Sequence, residues 1–206
     1  KIANVYYDRP SNKLKLIGIT GTKGKTTTAY MIRDIMLTSG KKVGMIGTIY
    51  NTYGDKVLEA DRTSPESLDL HRLLRDMVDS GIEYVVMEVS SQGLAMGRVN
   101  TLIFDYVIFS NLTIDHLDYH KTMENYLEAK KKLFSMCDIA VLNQDDSCFK
   151  SLSNGLDCKV ITYSAKSDEA DYTARNINYR PDGVVYDLLD ISIDDNIISG
   201  RFKLLN

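Results

Sequence analysis

The sequence predicts a three-layer α/β domain, a mostly parallel sheet flanked by helices, with a small antiparallel β appendage near the C-terminal end. Three observations carry this reading. Apolar runs rich in branched residues alternate with stretches of helical periodicity, which is the pattern of consecutive βαβ units. Residues that start and stop helices sit at the borders of the helical stretches. From about Ala170 the texture changes to short alternating stretches around the turn signal Arg180-Pro181-Asp182-Gly183.

Taken in order, strands are expected at 14–20, 42–48, 83–89, 105–110, 138–143 and 159–163. Most are near-continuous apolar runs, as strands covered on both faces must be. Helices are expected at 26–39, 65–79 and 123–134. Gly40 closes the first, and Ser64 followed by Pro65 reads as the N-cap and first position of the second. The alternating segments YTARNINY and GVVYDLLDISI form the antiparallel appendage. The domain plan is a linker remnant at 1–14 and one domain at 15–206, with its core at 15–168 and the appendage at 169–206. A start at Lys1 without methionine, and an end without a closing helix, suggest a piece of a longer chain.

Composition narrows the function. A chain of 206 residues with 44% hydrophobic content can bury one substantial core. Its net charge is -3 and its charges are interspersed, so nothing marks a nucleic-acid surface. No apolar run is long enough to span a bilayer, and the first residues lack the core of a signal peptide. A cytoplasmic monomer with no nucleic-acid or membrane partner is expected. Cys137, Cys148 and Cys158 are odd in number and lack zinc-type spacing, so they read as reduced thiols.

The segment GITGTKGKTT joins the first strand to the first helix, the setting a phosphate-binding loop needs. Gly21 and Gly24 allow close backbone approach, Lys25 offers a charge for β/γ-phosphates, and Thr26 has a hydroxyl suited to Mg²⁺. Ile19 stands where the usual loop has glycine. Glu88 ends the run YVVMEV, at the strand end where open α/β sheets bind ligands. It reads either as a structural carboxylate or, beside a phosphate loop, as a hard oxygen ligand for Mg²⁺.

In SNLTIDHLDYH, His116 and His120 are four apart, but Leu117 stands where a zinc-protease motif needs glutamate. His116 alone reads as a hydrogen-bonded loop histidine as readily as a ligand. In YLEAKKKLF the three lysines fan around a helix, and Lys130, four from both Tyr126 and Phe134, falls on the inward stripe. It is either a stem lying over the core or a buried amine that loses its charge easily. Thr63-Ser64-Pro65-Glu66 suffices as a helix start, and VLNQDD as a strand ending in a polar turn.

Taken together and in order, TGTKGKTT, RTSPESL, MEVSSQGL with Arg98, NLTIDHLDYH, EAKKKLF and VLNQDD resemble the Mur ligase family, closest to its UDP-N-acetylmuramoyl-tripeptide synthetases, the MurE type. The resemblance covers about 16–206 and implies the central ATP-binding domain of such a ligase. It implies that Gly21, Thr22, Lys23, Gly24, Lys25, Thr26 and Thr27 bind the phosphates of ATP, with Asn143 near the adenine. Lys25, His116 and Lys130 would be the catalytic residues. Thr26, Glu88, His116 and Lys130, the last as a CO₂-derived carbamate, would hold Mg²⁺. Thr63, Ser64, Ser90 and Arg98 would hold the acceptor. Gln92 and Met96 depart from the histidine and glutamine common in relatives of that type, so the fine contacts of the acceptor pocket are expected to differ there.

The implied partners are UDP-MurNAc-L-Ala-D-Glu, an incoming L-lysine or meso-diaminopimelate, and N- and C-terminal domains of the same enzyme that these residues do not include. The implied reaction is amide formation through an acyl phosphate, and the fragment alone is expected to be inactive in ligation. A folylpolyglutamate or cyanophycin synthetase would share the loop and the modified lysine but not RTSPESL and EVSSQGL. A generic P-loop NTPase fits poorly with Ile19, and a non-catalytic ATP-binding module fits poorly with the set Lys25, Glu88, His116 and Lys130.

Overall fold

A computed structural model describes residues 1–193 and 196–205. The expected domain end at Asn206 lies outside the described residues. In chain order the elements are α1 (Ile2–Tyr6), β1 (Lys15–Thr20), α2 (Lys25–Thr38), β2 (Val43–Ile46), β3 (Tyr50–Tyr53), β4 (Lys56–Glu59), α3 (Ser67–Asp79), β5 (Tyr84–Glu88), α4 (Ser91–Ala95) and β6 (Phe104–Phe109). They continue with α5 (Leu117–His120), α6 (Met123–Lys131), β7 (Cys137–Asn143), α7 (Phe149–Ser153), β8 (Lys159–Ser164), β9 (Tyr172–Arg180), β10 (Gly183–Ile193) and β11 (Asn196–Leu205).

Among the described residues the strands form one sheet in the order β11-β10-β9-β8-β7-β6-β1-β5-β2-β3-β4. The centre, β8-β7-β6-β1-β5-β2, is parallel. From β1 the chain crosses to β2, the β3–β4 hairpin follows at that edge, and β5 returns between β2 and β1; β6, β7 and β8 then extend the sheet on the other side of β1. The carboxyl ends of β1, β5 and β6 therefore open a crevice where ligands bind in sheets of this kind. The core is split by the sheet. Ile17, Ile19, Val43, Met45 and Val86 pack against Ala29 and its neighbours on α2. Leu70, Leu74 and Met77 of α3 pack on the other face, with Phe104, Phe109, Leu133 and Phe134.

The structure corrects one expectation and adds two features. Ser64 and Pro65 do not start α3: Glu66 is the N-cap and the helix runs Ser67–Asp79. Ser64 is instead buried against β5, a tertiary demand that local capping rules cannot see. The β3–β4 hairpin was not expected, because its strands are short and β4 is exposed throughout, so neither alternates cleanly. The C-terminal strands are antiparallel as expected, and β9 in addition pairs in parallel with β8, which joins them to the main sheet. Residues 1–14 hold α1 and a 3-10 turn at Pro10–Lys13, both lying against α3.

Candidate active site

The loop between β1 and α2 is shaped by its glycines and pinned by the end of β6. Gly21 has φ 147°, and a Cβ there would stand 2.0 Å from Ser110 Oγ, so only glycine lets the two strand ends meet. Gly24, with φ 85°, turns the chain into α2. Asn111 holds the loop from the side: its carbonyl accepts from Thr22 N–H at 2.8 Å and its Oδ1 from Lys23 N–H at 3.0 Å. The first turn of α2 then presents its free N–H groups above the strand ends, the arrangement that binds phosphate.

Two lysines meet at this loop. Lys25 Nζ donates to the carbonyls of Gly21 and Thr22, both at 3.0 Å. Lys130 Nζ, from α6, donates to the same Gly21 carbonyl at 2.8 Å and lies 4.6 Å from the centre of the Tyr126 ring. Lys130 is 1% exposed, whereas Lys132 is open to solvent. Burial, and then the neighbouring Lys25, push the Lys130 ammonium down to about 7. Burial also lowers Lys25, with Glu88 and Asp115 opposing it. A large fraction of Lys130 is thus a neutral amine near neutral pH, which is the form able to take up CO₂.

Glu88 is fully buried at the end of β5, beside Ile19 in the register of β1. Its Oε2 accepts from Thr26 Oγ1 at 2.9 Å and from Thr48 Oγ1 at 3.0 Å, and its Oε1 from Thr48 N–H at 2.9 Å. A carboxylate and a threonine hydroxyl at a helix N-terminus are hard oxygen donors of the kind Mg²⁺ prefers, so these residues fit that ion. His116 is the N-cap of α5, in left-handed backbone conformation with φ 51°, and its ring meets Tyr126 edge-on at 6.0 Å. Among the described residues no three His, Cys, Asp or Glu side chains gather as a metal group.

The residues expected to hold the acceptor do come together. Thr63, Ser64, Ser90 and Arg98 line one cavity of about 350 Å³, and Gln92 and Met96 share it. Ser64 is its pivot: its hydroxyl donates to the Glu88 carbonyl at 3.3 Å and accepts from Ser90 N–H at 3.0 Å. Arg98 is buried, donates to the Ser64 carbonyl at 3.1 Å and pairs with Glu66 at 2.8 Å. Among the described residues its buried Nε has no hydrogen-bond partner. Met96 Sδ accepts from Arg98 at 3.1 Å, so the departure at this position touches the guanidinium directly. A larger cavity, about 470 Å³, lies between β4 and α3 among Glu59, Asp61, Asp69 and Arg72, away from the phosphate loop.

Asn143 spends both ends of its amide on the protein, donating to the Ser110 carbonyl at 2.8 Å and accepting from Asp145 N–H at 3.0 Å. Sequence reasoning missed Thr48, and it gave no contact at the site to Asn111, Tyr126 and His120. Tyr126 OH lies 3.2 Å from Thr22 Oγ1, and His120 stacks on the Tyr126 ring while bonding Ser91 Oγ at 2.9 Å. Asn111 and His120 stand inside the motif NLTIDHLDYH, but their hydrogen-bond partners Lys23 and Ser91, like Thr22 for Tyr126, lie far off along the chain.

The family model for the Mur ligase middle domain matches residues 19–206. The chain belongs to the Mur ligase family. It is 45% identical to UDP-N-acetylmuramoyl-L-alanyl-D-glutamate--2,6-diaminopimelate ligase 1 of Clostridium acetobutylicum over 98% of this chain and 42% of that protein. A solved UDP-N-acetylmuramoyl-L-alanyl-D-glutamate--2,6-diaminopimelate ligase superposes with a TM-score of 0.83 at 28% identity, covering 96% of this chain and 42% of the other. Folylpolyglutamate synthase of Mycobacterium tuberculosis, solved with ADP and AMPPCP, superposes at 0.72 over 96% of this chain and 52% of its own, but with 14% identity it shares the fold alone. The Mur ligase middle domain described here thus spans about two fifths of its MurE-type relatives. Among the described residues no helix is long and apolar enough to cross a membrane.

Proposed function

We propose that this domain binds ATP for an amide ligase that activates the D-glutamate carboxyl of UDP-MurNAc-L-Ala-D-Glu as an acyl phosphate and joins it to an amino acid. The relatives' names favour 2,6-diaminopimelate over L-lysine as the incoming residue. The observation that carries the reading is Lys130: a buried lysine without an acidic partner, held against the phosphate loop, has no use in a plain nucleotide hydrolase.

The loop Gly21–Thr27 and the N-terminus of α2 receive the phosphates, and Lys25, now turned back on the loop carbonyls, swings onto the β/γ oxygens. Thr63, Ser64, Ser90 and Arg98 hold the acceptor so that its carboxylate oxygen faces the γ-phosphorus. The new O–P bond forms as the bond to the β–γ bridging oxygen breaks, ADP leaves, and the amine later displaces phosphate from the acyl carbon. Both reactants are anions, so the positive charge of Lys25 and the helix end lowers their repulsion. Thr26, Glu88, His116 and a carbamate on Lys130 would hold Mg²⁺, which supplies further charge neutralisation when bound.

The test is the intact mass of the full-length protein in CO₂-saturated buffer, followed by ligation assays. A gain of one CO₂ that vanishes in Lys130→Ala, with ligation falling by at least about a hundredfold as expected for a lost charge-stabilising group, supports the proposal. Unchanged ligation in Lys130→Ala would end it.

A further inference from the structure

Glu88 is enclosed, yet two of its three hydrogen-bond donors belong to one residue that no motif contains. Thr48 gives Oε1 its backbone N–H at 2.9 Å, and its hydroxyl lies 3.0 Å from Oε2. The same hydroxyl is 3.1 Å from Thr63 Oγ1, at the edge of the acceptor cavity. Gly47, just before it, is equally committed: a Cβ there would stand 2.8 Å from Glu88 Oε1. Gly47 N–H donates to Asn51 Oδ1 at 3.3 Å, which ties the turn to β3. The turn between β2 and β3 is therefore built around the carboxylate, although Thr48 itself is exposed on its outer side.

The Thr48 hydroxyl has one proton and two acceptors within reach, Glu88 Oε2 at 3.0 Å and Thr63 Oγ1 at 3.1 Å. It therefore joins the carboxylate to the edge of the cavity, while the backbone N–H of Thr48 stays committed to Glu88 Oε1.

We propose that Thr48 is a positioning residue that fixes the Glu88 carboxylate against the phosphate loop and links it to Thr63 at the edge of the acceptor cavity. The metal–nucleotide site and the acceptor pocket then share one hydrogen-bond chain, with Thr48 as its middle link. The inference deepens the function proposed above and rests on it.

The test uses the full-length protein, with Mn²⁺ as the probe ion in the presence of saturating ADP and free Mn²⁺ read by electron paramagnetic resonance. Thr48→Val keeps the shape and the backbone N–H but loses the hydroxyl, and is expected to weaken Mn²⁺ binding about tenfold, as loss of a partner behind a metal ligand does. Thr48→Ser restores the hydroxyl and is expected to bind within about twofold of the parent, with the thermal midpoint of both variants unchanged. In a Glu88→Gln background, Thr48→Val is expected to add nothing further, because the two act through one carboxylate. Parent-like binding by Thr48→Val, an equal defect in Thr48→Ser, or effects that multiply with Glu88→Gln would each overturn the role. Failure of the unsubstituted protein to take Mn²⁺ with ADP would instead bring down the nucleotide-site reading, and this inference with it.

Discussion

At the scale of single residues, the structure separates polar groups that are satisfied from those waiting for a ligand. His71 is of the first kind. It is fully buried on α3, and its Nδ1 faces the Ser67 carbonyl at 2.7 Å, which only accepts, so Nδ1 carries the proton. Nε2 then accepts from Thr101 Oγ1 at 2.9 Å, and the neutral ring is fully paired. Burial holds its pKa below the ordinary 6.5. The unfolded chain therefore binds the extra proton first, and the stability His71 supports is complete above about pH 6.5 and declines as pH falls below it. Thermal melts across that range should show a falling midpoint, and His71→Asn should lessen the slope; a slope unchanged by the substitution would assign it to other groups. Arg98 is of the second kind, its buried Nε without a partner among the described residues, while Lys130 bonds the Gly21 carbonyl with its pKa pushed by burial down to about 7.

At the scale of elements, the phosphate loop shows why neighbouring glycines differ in kind. Gly24 has open space around it and only its φ of 85° to defend, so Gly24→Ala should cost ~1 kcal/mol for the left-handed backbone and leave the fold intact. Gly21 has both a positive φ and Ser110 Oγ at 2.0 Å from where a Cβ would go, with the Asn111 backbone behind it at 3.1 Å. Gly21→Ala should therefore cost at least ~2 kcal/mol, since backbone cannot yield as a side chain does, and should push β1 away from the end of β6. Denaturant melts and ATP binding on both variants check this, with Gly21→Ala expected to be worse in each. The loop was legible in the sequence because its chemistry is local: glycines, a lysine and a threonine in one run between a strand and a helix. The RTSPE segment was half-legible. Its helix-start reading was local and gave way, because Ser64 is drawn into the bonds that join β5 to α4.

At the scale of the whole molecule, this chain covers 42% of its relative's length. Within that part lie both the loop that Lys25 bonds to and the cavity lined by Thr63, Ser64, Ser90 and Arg98. The domain alone is expected to bind ATP with Mg²⁺ yet form amide at less than about a thousandth of the full-length rate, because the reactants are not held together. Isothermal calorimetry with ATP and a ligation assay on the 206-residue chain and on the longer protein test both halves of that statement.

The sequence by itself determined the α/β class, the central strands, the phosphate loop and the family, since each rests on short-range patterns of apolar period, glycine spacing and residue type. It also placed Lys130 on the inward side of its helix, because helical geometry is local. Tertiary structure alone decided what those residues meet. Lys130 reaches Gly21 across more than a hundred positions, and the pairing of Thr48 with Glu88 depends on β2 lying beside β5. The β3–β4 hairpin was hidden because its strands are four residues each and β4 is exposed throughout, and the parallel bridge from β8 to β9 because two paired positions leave no periodic trace.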